Sequence, residues 1–176
     1  MNIERMLEAQ QELDQRIYEK HNLEPADLFG EKLVALLVEL AEMANESRFF
    51  KYWSEDKDPR QELLEEYVDA LHFFLSVGLL KGWERALRPP GGSIRPTSRD
   101  LTELYLEMIG FLSAAQVGNM DRVTYNGMER DEMAFHLAWI NFLTMGTAHF
   151  HFSPNEIEAA YFLKNETNHQ RQAGGY

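Results

Sequence analysis

The sequence contains no cysteine, which removes disulfide bonds, thiolate metal sites and thiol nucleophiles together. No run approaches the ~20 apolar residues of a membrane-spanning helix, and the opening Met1-Asn2-Ile3-Glu4-Arg5 has no apolar secretory core. Basic residues are outnumbered, 17 Lys and Arg against 29 Asp and Glu, and the net charge is −12. Nucleic-acid surfaces need clustered cations, so a nucleic-acid partner is disfavoured, as is a membrane. Alternation of period two is missing at any useful length, and so are internal repeats. What remains is 176 residues, 44% of them apolar. That is enough for one core and too little for two comfortable ones. The expectation is a single-domain, all-α, cytoplasmic protein.

Helical spacing recurs along the chain. Ile3, Met6, Leu7, Leu13 and Ile17 predict a helix over 3–21, with a break at Pro25. A second helix is predicted over 28–48. Asp58-Pro59-Arg60-Gln61 reads as a cap followed by proline at the first helical position, opening a third helix that runs to about 81. Three prolines and two glycines make 88–97 a loop. Spacing returns over 98–116, 117–131 reads as loop with a possible short helix, and an apolar helix is predicted over 133–149. Ser153-Pro154-Asn155-Glu156 is a capping box that opens a last helix. A polar tail follows over 164–176.

Two acidic stripes stand out against this frame. At about 100° per residue, Glu39, Glu42 and Glu46 share an arc of roughly 60° on the second helix, and Glu62, Glu66 and Asp69 do so on the third. A short polar link makes the two helices an antiparallel pair, so stripe faces stripe. Carboxylates gathered in this way repel one another, and a stable cluster calls for a cation; all-oxygen ligation suits Mg²⁺, Mn²⁺ or Ca²⁺. The opposing reading is solvated acids on helix surfaces. In the tail, Lys164, Asn168 and Arg171 fall at i, i+4 and i+7 and together can grip phosphate oxygens, or else form a frayed basic terminus that answers the helix dipole. Phe50, Tyr52 and Trp53 offer rings for stacking or simply core. His72 could bond a sugar hydroxyl or a buried carbonyl. His136, His149 and His151 have no zinc spacing and read as structural.

Taken in order, Gln11-Glu12-Leu13-Asp14, Glu39-x-x-Glu42, Phe50-Lys51-Tyr52-Trp53, Glu66-x-x-Asp69-x-x-His72 and Lys164-Asn165-x-x-Asn168-x-x-Arg171-Gln172-x-Gly174-x-Tyr176 resemble the dimeric all-α dUTPases. That family lies within the wider MazG-like all-α NTP pyrophosphatases, and the likeness covers residues 11–176. The resemblance implies hydrolysis of dUTP, with dUDP as a candidate second substrate, at a site holding two or three Mg²⁺ ions, with Mn²⁺ able to substitute. It implies Glu39, Glu42, Glu66 and Asp69 as ligands, with Glu46 and Glu62 outside them. Glu42, or failing it Glu39, would activate the attacking water. Lys164, Asn168, Arg171 and Tyr176 would hold phosphates. Gln11, Asp14, Trp53, His72 and Asn165 would contact base or sugar, although related sequences often carry Asn where this chain has Asp14. A homodimer with the site near the subunit interface is implied as well. The competing readings are a MazG-like pyrophosphatase of different base preference, for example for dCTP, and a non-enzymatic helical interaction protein. A di-iron bundle is weaker, because the acid helices offer a single Asp-x-x-His pair.

Overall fold

The computed structural model describes residues 1–88, 98–117, 124–125 and 127–174, and six α-helices lie among them. Helix α1 spans Ile3–His21. Asn2 caps it by accepting the Arg5 N–H at 3.1 Å, and Asn22 closes it in left-handed backbone at φ 52°. Its inward stripe is Ile3, Met6, Gln10, Leu13 and Asp14. The spacing is that of an amphipathic helix, yet two members of the stripe are polar.

Helix α2, Phe29–Ser47, buries Leu33, Leu36, Leu40 and Met43. Helix α3, Leu63–Lys81, is buried on almost every side through Tyr67, Val68, Leu71, Phe74, Leu75 and Val77. A helix apolar all round belongs at the centre of a bundle, and α1, α2 and α6 all pack on α3. Each fully buried Leu or Phe there stabilises the fold by about 1.5–3 kcal/mol. Lys32, early in α2, bonds Ser76, late in α3, so the two helices run antiparallel as expected. The third helix does not begin at Pro59. The Arg60 N–H is taken by the Glu46 carbonyl at 2.9 Å and its guanidinium by Asp56 at 2.8 Å, which holds the segment as a connector instead of a first turn.

Helices α4, Leu101–Val117, and α5, Arg130–Thr144, form a second tightly packed pair. Asp100 caps α4, its carboxylate accepting the Glu103 N–H at 2.8 Å. The apolar helix predicted over 133–149 starts earlier, and it gives way to a π-helical turn at Met145–His149. Tyr67 stacks on Phe142 with centroids 4.2 Å apart, and a Cβ on Gly146 would lie 2.5 Å from the Tyr67 ring. Helix α6, Pro154–Gly174, opens on the capping box, with the Glu156 N–H donating to Ser153 Oγ at 3.2 Å. It continues well into the polar tail. Between α4 and α5 the expected loop with a possible short helix is corrected: Thr124–Tyr125 pairs antiparallel with Met128–Glu129. Two-residue strands are too short to show alternation in sequence, and Gly127, at φ 77°, lies in their turn. The loop read at 88–97 lies, after Arg88, outside the described residues. Among those described, no helix is long and apolar enough to cross a membrane.

Candidate active site

Glu39 and Glu42 project from α2 and Glu66 from α3, and one carboxylate oxygen of each lies within 4.8 Å of the others. The i, i+3 spacing sets the first two on one face of α2, and antiparallel packing brings the third across. Asp69, one turn beyond Glu66, is held by Lys164 of α6, whose Nζ lies 2.6 Å from Asp69 Oδ2 and 2.8 Å from Glu65 Oε1. Burial, and then the charges of Asp69, Glu42 and Glu66, push the Glu39 carboxyl up to about 7. Burial followed by Asp69 and Glu42 raises Glu66 to about 6. Burial also raises Asp69, against the pull of Lys164. Burial works against charge on Lys164, but its bonds to Asp69 and Glu65 leave it raised. The cluster is thus short of positive charge while offering only oxygen donors, and the residues fit a hard divalent cation. Glu46, Glu62 and Asp69 are not in this three-acid grouping. Glu46 accepts from the Asn45 side chain at 3.0 Å.

Beside the acids is a cavity of about 610 Å³ lined by residues of α1, α2, α3 and α6, among them Glu39, Asp69, His72, Asn168 and Arg171. Its wall is a hydrogen-bonded polar network. The Gln10 amide donates to Asp14 Oδ1 at 2.9 Å, and its oxygen pairs with His72 Nδ1 at 2.8 Å while accepting from the Tyr161 hydroxyl at 3.1 Å. Lys32 lies 2.9 Å from Asp14 Oδ2, and Ser76 donates to the same oxygen. Burial, then the charge of Lys164, pushes His72 down to about 3, so its ring is neutral at ordinary pH. The ring stacks on Tyr161 at 4.2 Å.

An acidic cation site next to a half-open pocket with one hydrogen-bonded polar wall, and with a lysine, an asparagine and an arginine on the facing helix, is an arrangement for a nucleotide. A family model described as dUTPase matches residues 2–176. The chain belongs to the dUTPase family. No curated protein matches the chain. It is accordingly a dUTP diphosphatase of the all-α kind, in a family of metal-dependent nucleotide hydrolases.

The residues expected to serve a dUTPase are brought together unevenly. Glu39, Asp69, His72, Asp14, Asn168 and Arg171 share the cavity, with Glu42 and Glu66 joined to Glu39. Lys164 reaches it through Asp69. Asn165 is buried, and its amide donates to the Ala9 carbonyl at 3.5 Å. Gln11 is exposed and does not line the cavity; its neighbour Gln10, 3% exposed, is the glutamine that does. The reason is helical phase, because Gln10 shares the inward stripe with Met6 and Asp14. Trp53 is 65% exposed in a cluster with Phe50 and Tyr52 and does not line the cavity. Tyr176 lies outside the described residues. Lys32, Ser76 and Tyr161 were not foreseen. Lys32, seven residues before Glu39 on one face of α2, and Ser76, seven after Asp69 on α3, carry a spacing from which they could have been.

Proposed function

We propose that this dUTPase cleaves dUTP to dUMP and pyrophosphate by in-line attack of water at the α-phosphorus. Glu39, Glu42, Glu66 and Asp69 would hold Mg²⁺, in the two or three ions the resemblance implies. Bound there, Mg²⁺ neutralises triphosphate charge and makes a coordinated water more acidic. Glu42 is exposed on the solvent side of the cluster, where water can reach it, and Glu39 faces the cavity. This division supports Glu42 as the group that orients the attacking water and takes its proton, with Glu39 holding the cation side. Lys164, Asn168 and Arg171 bind the phosphate oxygens, the ammonium exchanging Asp69 for phosphate as substrate enters. The polar wall of Gln10, Asp14 and His72 receives the nucleoside. The exposed Trp53 cluster supports a homodimer in which this ring meets the partner's site rather than its own.

The observation that carries the reading is the three-acid cluster, which reaches the cavity through Glu39. Turnover of dUTP, dCTP, dTTP and UTP with Mg²⁺, followed by pyrophosphate release, tests it. Preference for dUTP is the expected result. Equal turnover of all four would point instead to a pyrophosphatase of broad base choice.

A further inference from the structure

Two seven-residue intervals define the length of the nucleotide cavity. On α2, Lys32 precedes Glu39, and on α3, Ser76 follows Asp69; each pair spans about 10 Å of axis at roughly 1.5 Å per residue. Because the helices are antiparallel, Glu39 and Asp69 meet at one end and Lys32 and Ser76 at the other. With the phosphates at the carboxylate end, the far edge of the base falls at Lys32.

The groups at that end are already committed among themselves. Asp14 Oδ1 accepts from Gln10 and Oδ2 from Lys32 and Ser76, while the Gln10 oxygen is shared by His72 and Tyr161. Lys32 is 12% exposed in its side chain and carries three N–H donors. Asp14 and Ser76 take two and the Tyr18 hydroxyl engages the third, the one a ligand in the cavity would take over. Nearby, His72 Nε2 is buried with no hydrogen-bond partner among the described residues.

We propose that Lys32 is the specificity-determining residue of the base pocket, its ammonium donating to the carbonyl oxygen at C4 of a pyrimidine. An ammonium cannot accept a hydrogen bond. A 4-amino pyrimidine would set donor against donor and leave both groups unpaired in a buried place, whereas a 4-keto pyrimidine pairs. Asp14 and Ser76 are positioning residues that aim the ammonium. Discrimination against a 5-methyl group is left to the shape of the pocket.

This inference rests on the dUTP-hydrolysing reading, and the test separates the two. Steady-state kinetics are measured on the full chain with Mg²⁺ and dUTP, dCTP or dTTP. Lys32→Gln keeps a donor for Asp14 but adds an acceptor for an amino group. It is expected to lower the dUTP-to-dCTP ratio of kcat/KM by about ten- to a hundredfold, chiefly through KM, and to leave the dUTP-to-dTTP ratio within threefold. Lys32→Arg, which remains a cationic donor, is expected to retain most of the preference, and thermal melting checks that both variants fold. A dUTP-to-dCTP ratio within threefold of wild type in folded Lys32→Gln overturns the assignment, as does a wild-type enzyme indifferent to the two. If the wild type fails to hydrolyse dUTP, the functional reading itself falls, and the assignment with it.

Discussion

The carboxylates of the cluster differ in setting although they share a chemistry. Glu42 is exposed while Glu39 is half-buried and raised to about 7. If Glu42 takes the proton of the attacking water, Glu42→Gln lowers kcat by about 10²- to 10⁴-fold while dUTP still binds, which single-turnover kinetics and nucleotide titration would check. Unchanged kcat would move the role to Glu39. His72 makes a different prediction. Its folded value of about 3 lies below the ordinary 6.5, so the unfolded chain binds the proton more readily. The contribution of the neutral ring is complete above pH 6.5 and is lost as pH falls toward 3. Urea midpoints of wild type and His72→Gln, compared across that window, should show a shallower decline in the variant. Parallel curves would mean that the ring is not held neutral.

Among the elements, α3 is the most revealing. Its apolar surround could be read from Tyr67-Val68-x-Ala70-Leu71 and Phe74-Leu75, and burial of that kind leaves little freedom for the acids on it. Glu66 and Asp69 sit where the helix meets α2, and Ser76 where it meets Asp14 of α1. The close passage of the π-helical turn over Tyr67 is a test of this packing. Gly146→Ala would press a methyl group into the Tyr67 ring and should cost about 1–3 kcal/mol of stability in chemical denaturation. An unperturbed midpoint would show that the turn can move away. Capping is a local matter, and was legible accordingly: Ser153→Ala should remove about 1 kcal/mol through loss of the bond from Glu156 N–H. The failed cap at Asp58 shows the limit of local reading, because a backbone bond from Arg60 to the end of α2 outweighed a favourable Asp-Pro start.

At the scale of the molecule, a single chain assembles the acid cluster and the polar pocket but leaves Trp53, Tyr52 and Phe50 on its surface. A homodimer that places this cluster over a neighbouring pocket predicts a species near twice the 20.5 kDa chain mass in sedimentation equilibrium. It also predicts that Trp53→Ala raises KM for dUTP with Mg²⁺ affinity, followed by calorimetry, unchanged. A monomer that retains full activity would remove the aromatic cluster from the site. The helical class and the approach of Glu39 and Glu42 to Glu66 were legible in the sequence, because each follows from 3.6-residue periodicity and a short connection between neighbouring helices, although Glu46, Glu62 and Asp69 fall outside the grouping. Tertiary structure alone decided which glutamine enters the pocket, that Asp14 is answered by Lys32 and Ser76, and that Lys164 binds Asp69. Those pairings join residues 18 to 95 positions apart or turn on a single step of helical phase. Periodicity marks a face, but only packing decides what that face meets.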